Sequence, residues 1–214
     1  EKFNNNKLKK IYLPGYICET IPKNLIDLGF KIEFYDIFLN TKIKKLFDAQ
    51  SIVIVVHYYG IENKITSKIK NSNLIILEDY THCVLNNLSA KFKNRNVFMS
   101  LRKFTGLPFG GWVNIKKNNE KKDYYKITKK EKKVFKQLKQ KKLYIQNKSK
   151  FSLKLENKFL KLNKNNEIFL DKNISNHSIP KITNNILNSF NWKAVREKRI
   201  ENWHYLNKNL KKNF

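Results

Sequence analysis

Cysteine is scarce in this sequence of 214 residues, which contains only Cys18 and Cys83 and no Cys/His spacing of the kind that holds a metal. A secreted domain held together by disulfides would need a denser set of cysteines. No apolar stretch approaches the roughly 18–20 residues needed to cross a bilayer, and the polar residues 1–10 lack the apolar region of a signal peptide. These absences exclude a disulfide scaffold and predict a cytoplasmic protein without membrane insertion.

Acidic residues are also scarce, since 17 Asp and Glu stand against 45 Lys and Arg and leave a formal net charge of +28. A charge of this size is typical of proteins that bind nucleic acid or an anionic membrane. The lysines, however, are spread over the whole chain, which favours a general drift of composition toward Lys, Asn and Ile. We therefore expect no specific nucleic-acid site, although the positive field would favour a phosphorylated substrate.

The first half of the chain alternates between strand-like and helix-like patterns. The predicted strands are 11–13, 31–35, 51–56, 74–77, 97–101 and 111–115. The predicted helices are 20–28, 42–49 and 61–70. The run 52–56 is β-branched throughout, which is typical of a strand buried on both faces of a parallel sheet. The alternation predicts an α/β fold, a three-layer sandwich with a mostly parallel central sheet.

The second half is rich in lysine and reads as mostly helical. Helical spacing predicts helices at 128–141, 149–163 and 192–210, and the Asn- and Ser-rich segment 163–191 is predicted to be a connecting loop. We therefore divide the chain into a major-domain portion, 1–117, and a helical C-terminal region, 118–214, that would form a partial small domain.

Two residues near the ends of predicted strands have the chemistry of a cofactor site. Asp79 directly follows a buried strand, at the sheet edge where α/β proteins bind ligands, although a strand-end Asp also serves to cap the next helix. Lys103 lies in the segment 102–110, which is predicted to be a loop. Its apolar neighbours lead us to expect a buried lysine, since burial favours a neutral amine. Pyridoxal phosphate needs such an amine for its aldehyde and a carboxylate for its pyridine nitrogen.

Four short motifs occur in an order that resembles a known family. They are Leu13-Pro14-Gly15-Tyr16, Val56-His57-Tyr58-Tyr59-Gly60, Glu78-Asp79-Tyr80-Thr81-His82, and Ser100-Leu101-Arg102-Lys103 followed by Gly110-Gly111. Over residues 11–115 the set resembles the DegT-type sugar aminotransferases, which are pyridoxal-phosphate enzymes of fold type I. More faintly, Arg199 and Asn202 resemble the Arg-x-x-Asn helix of the same family.

The resemblance implies that residues 1–117 bind pyridoxal 5'-phosphate. Lys103 would form the Schiff base and later carry the proton between the two carbons of the imine. Asp79 would pair with the pyridinium nitrogen and keep the ring an electron sink.

Four further residues are expected in or beside the same cleft. His82 would contact the ring hydroxyl, where glutamine is more usual in the family, or would be a partly buried histidine at a helix start. Ser100 would donate a hydrogen bond to the phosphate or to the lysine loop. Cys18 stands where many relatives place an aromatic ring on the cofactor. His57, at a strand end, is expected to line or border the cleft.

The resemblance implies a homodimeric aminotransferase that acts on a nucleotide-linked keto-sugar, with an amino acid as amino donor, in surface polysaccharide or sugar biosynthesis. Family members have an earlier helix and a Gly-Thr/Ser turn that holds the phosphate, and a longer second domain, so we expect a fragment or a natural truncation that by itself binds the cofactor weakly or is inactive. A second hypothesis is a degenerate homologue that serves only as a fold or dimerisation module. A third is a basic nucleic-acid-binding protein, which predicts aromatic residues interleaved with lysines on one exposed surface.

Overall fold

The computed structural model of this chain describes residues 10–37, 47–69, 73–85, 92, 94–105, 107, 109–115, 132, 153–172 and 178–210. The strands are β1 (Lys10–Pro14), β2 (Lys31–Tyr35), β3 (Ile52–Val56), β4 (Ile75–Asp79), β5 (Asn96–Ser100) and β6 (Gly111–Asn114). The helices are α1 (Thr20–Asp27), α2 (Ile65–Lys68), α3 (Arg102–Thr105), α4 (Leu153–Lys172), α5 (Lys181–Ser189) and α6 (Trp192–Leu210). A short 3-10 turn, Tyr58–Gly60, follows β3.

The described strands form one mixed sheet in the order β2-β1-β3-β4-β5-β6. Strands β1 to β5 run parallel to their neighbours, and β6 pairs with β5 in the antiparallel direction. All five residues of β3 are buried, because this β-branched strand lies inside a sheet that is covered on both faces. The predicted α/β class with a mostly parallel sheet is therefore confirmed.

Helices pack on both faces of the sheet. We name each face after the helix that covers it, the α1 face and the α2 face. On the α1 face, Leu25 of α1 packs with Ile54 of β3. On the α2 face, Ile65 of α2 packs with Val53 and Val55. Successive side chains of a strand point to opposite faces, so the continuous apolar run of β3 supplies both clusters.

The order of the strands reverses between β1 and β3. From β1 the chain passes through α1 to β2 on one side, and from β3 it passes through α2 to β4 on the other side. Ligands of open α/β sheets bind outside the carboxyl ends of the strands, at the point where the strand order reverses. The loops that follow β1, β3 and β4 are therefore the place to look for a functional site.

The predicted loop at 163–191 is wrong, because α4 extends to Lys172 and α5 occupies Lys181–Ser189. Asparagine lowers helix propensity by only tenths of a kcal/mol per residue, so an Asn-rich composition does not prevent a helix. The predicted helix 149–163 begins at Leu153 as α4, and the described helices contain none long and apolar enough to span a membrane.

Three other local predictions have different outcomes. The predicted loop 102–110 contains the one-turn helix α3. In the predicted helix 42–49, residues 42–46 lie outside the described residues, and 47–49 are not helical. The predicted helix 128–141 also lies, except for Lys132, outside the described part of the chain.

Candidate functional site

Polar residues end two neighbouring strands at the carboxyl edge of the sheet. Asp79 is the last residue of β4 and Ser100 is the last residue of β5. Leu77 and Phe98, each two residues earlier, belong to the apolar cluster on the α1 face. Because side chains alternate along a strand, Asp79 and Ser100 lie on this same face. The structure thus brings these two candidate residues to one edge and one face.

The Asp79 side chain is held by a local turn and is only 7% exposed. Its Oδ1 accepts a hydrogen bond from the backbone N–H of Thr81 at 2.8 Å, while Oδ2 has no hydrogen-bond partner among the described residues. The Thr81 hydroxyl in turn accepts a hydrogen bond from the N–H of Ser100 at 3.0 Å, which ties the ends of β4 and β5 together. Asp79 therefore shapes a turn, and no helix follows it within the described residues 80–85, while its second oxygen is left for a ligand.

His82 contributes an unsatisfied polar atom near the same edge. Its Nδ1 is buried and has no hydrogen-bond partner within the described part of the chain. Its ring stacks on Tyr59, with centroids 5.6 Å apart and 24° between the planes. Buried polar atoms are nearly always paired with protein, water or a ligand. The His82 Nδ1 is therefore a position at which a ligand would complete the structure.

Lys103 lies in α3, three residues after the end of β5. Its side chain is exposed, so the expectation of a buried lysine is wrong. Consecutive residues of a helical turn point in different directions, so the apolar neighbours in sequence do not enclose the lysine. The amine is consequently exposed to solvent.

The C-terminal helices contact the segment that carries Lys103. Arg102 donates a hydrogen bond to Glu167 of α4 at 2.6 Å. The guanidinium of Arg199 in α6 lies 4.8 Å from the ring centroid of Phe104. Side chains of α5 lie 3.7 Å from the position that a Cβ on Gly110 would occupy. Contacts from three helices thus surround the Lys103 segment, none of which was predicted from the sequence.

Cys18 lies in the loop between β1 and α1, at the carboxyl end of β1. It is exposed, and its Sγ is 3.2 Å from the hydroxyl of Thr20. Cys18 therefore lies at the carboxyl edge, as expected. Its hydrogen bond is to a neighbour in sequence, and no hydrogen bond connects it to Asp79 or His82 among the described residues.

A buried ionic network lies behind the site, on the α2 face, and was missed by the sequence analysis. Glu78 accepts hydrogen bonds from Nε2 of His57 at 3.0 Å and from Nε of Arg95 at 2.7 Å. Arg95 Nη2 donates to Glu78 Oε2, the oxygen that His57 also contacts, and to the Tyr80 hydroxyl at 2.9 Å. His57 Nδ1 accepts the N–H of Asn63 at 2.9 Å, so Nε2 carries the ring proton.

His57 therefore does not line the cleft as expected. It continues the alternation of Val53 and Val55, with an extended backbone, and so lies on the face opposite to Asp79. Its side chain is 1% exposed. The available signal was that Glu78 and Asp79 are adjacent in a strand, so one of the two must point into the opposite layer and needs a buried partner.

The Glu78 network predicts a pH-dependent contribution to stability. Burial alone would raise the pKa of Glu78, but hydrogen bonds from His57 and Arg95 lower the pKa below its ordinary value. We expect Arg95→Met to reduce the free energy of unfolding at pH 7 by about 3 kcal/mol, because it leaves a buried carboxylate without its cation. Urea denaturation from pH 3 to 8 measures the effect.

The sign of the pH dependence follows from the lowered pKa. The contribution of Glu78 is complete above its ordinary pKa of about 4.3 and is lost as the pH falls through the folded-state value. The difference between wild type and Arg95→Met should therefore shrink below about pH 4. Lys198→Met, which removes an exposed pair with Glu201, should cost about 0.5 kcal/mol or less. A loss in Arg95→Met that is equal at all pH values would contradict this account.

Three tyrosines join the loops after β1 and β3. The hydroxyls of Tyr16 and Tyr59 are 3.1 Å apart, and the Tyr58 hydroxyl donates a hydrogen bond to the carbonyl of Tyr16. Burial, and then the nearby charge of Asp79, raise the pKa of Tyr58 to about 12, so its hydroxyl stays a donor at neutral pH. These contacts link the loops after β1 and β3 at the point where the strand order reverses.

Comparison with protein-family models, with curated proteins and with solved structures found no match for this chain. The structure itself defines an α/β protein with helices on both faces of a mostly parallel sheet. Its carboxyl edge carries the buried carboxylate of Asp79 and the His82 Nδ1, which is unsatisfied among the described residues and whose ring stacks on the exposed Tyr59.

Proposed function

We propose that this chain carries the cofactor-binding part of a pyridoxal-phosphate-dependent aminotransferase that acts on a nucleotide-linked keto-sugar. One observation carries the proposal: Asp79 is a buried carboxylate whose Oδ2 has no partner among the described residues, at the end of a strand beside the one that leads to Lys103. The sugar substrate, the amino-acid donor and the homodimer rest on the resemblance of the four motifs.

The residues at this edge fit the proposed cofactor. The free Asp79 oxygen would accept a hydrogen bond from a protonated pyridine nitrogen, and the unpaired His82 Nδ1 would bond to the ring hydroxyl. The exposed amine of Lys103 would meet the aldehyde, and the hydroxyl of Ser100 would contribute to holding the phosphate. When bound, pyridoxal phosphate supplies an electron sink for negative charge that develops on the substrate carbon.

The chain's own residues would position and move protons at this edge. The hydrogen bonds from Thr81 to Asp79, and from Ser100 to the Thr81 hydroxyl, fix the direction of the carboxylate relative to β5. Fixed charge of this kind stabilises a transition state because it needs no rearrangement during the reaction. The Lys103 amine would take a proton from the amino-bearing carbon of the substrate and return it to the aldehyde-derived carbon of the cofactor.

The donor half of the reaction tests the proposal without a sugar. The chain is incubated with pyridoxal phosphate and with each of a panel of L-amino acids, and the corresponding 2-oxo acids are quantified by mass spectrometry. Without a keto acceptor nothing removes the amino group from the cofactor, so at least one amino acid should yield about one oxo acid per chain that holds cofactor. Heat-denatured chain and cofactor alone serve as controls, and an absence of oxo acid above these controls for every amino acid would contradict the proposal.

A further inference from the structure

Tyr59 is an exposed aromatic residue in a left-handed backbone conformation, with φ 53° and ψ 28°. This conformation is unfavourable for a bulky side chain, and the ring is 73% exposed, so burial does not offset the strain. Strain of this kind is concentrated at functional sites, where the surrounding structure maintains it. A role of the Tyr59 ring in binding a ligand would account for this backbone conformation, which the stability of the fold does not favour.

Two contacts hold the ring in place. One face stacks on His82, and the hydroxyl lies 3.1 Å from that of Tyr16, whose own ring is 58% exposed. Tyr16 follows β1 and Tyr59 follows β3, so the hydroxyl pair spans the point at which the strand order reverses. This is where open α/β sheets bind their ligands.

We infer that Tyr16 and Tyr59 form a platform that binds the sugar ring of the substrate. The inference rests on the proposed function and adds the residues that select its substrate. The apolar C–H face of a hexose packs on an aromatic ring, while the phenol hydroxyls exchange hydrogen bonds with sugar hydroxyls.

The position of the platform distinguishes the sugar from the nucleotide base. Tyr59 stacks on His82, which follows the last residue of β4 by three positions, so the platform adjoins the reacting edge. In the proposed reaction the reacting carbon belongs to the sugar. The ring that lies beside this edge is consequently the sugar, and the base lies farther out.

Isothermal titration of the chain without cofactor tests the platform. The probes are UDP-N-acetylglucosamine, dTDP-glucose and GDP-mannose, each compared with its free nucleoside diphosphate. Tyr59→Gly removes the ring, and glycine adopts the left-handed conformation without strain, so a loss of binding would not arise from misfolding. We expect this variant to bind the sugar nucleotide about 3- to 10-fold more weakly and the free diphosphate equally well.

Two further variants complete the test. Tyr59→Phe keeps the ring and should lose less affinity than Tyr59→Gly. Phe34→Ala removes a 60% exposed aromatic residue on the edge strand β2 and should bind like the wild type. The inference is overturned if the wild type binds none of the three probes, if Tyr59→Gly binds them undiminished, or if the free diphosphates weaken equally. The oxo-acid assay needs no sugar, so its result judges the proposed function separately.

Discussion

Lys103→Ala should reduce formation of the oxo acid by about 10³-fold or more, which corresponds to about 4 kcal/mol of activation free energy. Its amine is the only group of that side chain able to form the covalent link and to carry the proton. The side chain is exposed on α3, so the free energy of unfolding should stay within about 0.5 kcal/mol of wild type.

Two variants control for charge and for surface lysines in general. Lys103→Arg keeps the positive charge without the nucleophilic amine and should be as inactive as Lys103→Ala. Lys193→Ala removes a lysine that is 86% exposed on α6 and should retain wild-type activity. Oxo-acid formation by each variant, at equal protein concentration, gives the comparison. Activity in Lys103→Ala comparable to wild type would show that another group performs the chemistry.

Asp79→Asn should lower the same rate by on the order of 10²-fold or more, because the cofactor nitrogen loses its counter-charge. Asn keeps an oxygen that can accept the Thr81 N–H, so the local turn and the stability are preserved. Asp79→Ala removes both the charge and this hydrogen bond. It should therefore show the same loss of rate and a further loss of about 1 kcal/mol in the free energy of unfolding.

The two substitutions are expected to produce different defects. Cofactor should still attach covalently to Asp79→Asn, since Lys103 is intact, whereas it should not attach to Lys103→Ala. Absorbance in the visible range, measured before and after borohydride, separates the two outcomes. Cofactor attachment and oxo-acid formation equal to wild type in Asp79→Asn would show that Asp79 has no role in the reaction.

The sheet could be predicted from the sequence because burial on both faces leaves a simple pattern. A parallel strand covered by two layers must be apolar at every position, and β3 is therefore visible as a continuous run. In the second half, the predicted helix 192–210 is confirmed as α6, but α4 and α5 could not be delimited in this way. They carry many Lys and Asn residues at exposed positions, and such residues set no clear boundary between helix and loop.

The site was predicted only in part, for reasons of side-chain direction. Asp79 and Ser100 lie at the expected edge of the sheet, because strand ends can be read from the sequence. The exposure of Lys103 and the inward direction of His57 depend on a one-turn helix and on the register of two strands. Neither is fixed by the identity of the neighbouring residues.

The nucleic-acid alternative keeps one supporting observation. Trp203 and Tyr205 of α6 are exposed and lie among basic residues such as Lys198 and Lys208, which is the interleaved pattern that this alternative predicts. Aromatic rings on such a surface can stack on bases. The tyrosines at the sheet edge belong instead to loops at the strand reversal, where the proposed substrate would bind.

The most direct test of the account is to identify the lysine that holds the cofactor. The chain is incubated with pyridoxal phosphate, reduced with borohydride, digested and mapped by mass spectrometry, with the modified fraction measured at every lysine as cofactor concentration rises. We expect saturable modification at Lys103 at the lowest concentrations, and only slow, linear modification at the other exposed lysines. Saturable modification at a different lysine, with Lys103 no more reactive than its exposed neighbours, would contradict the central claim.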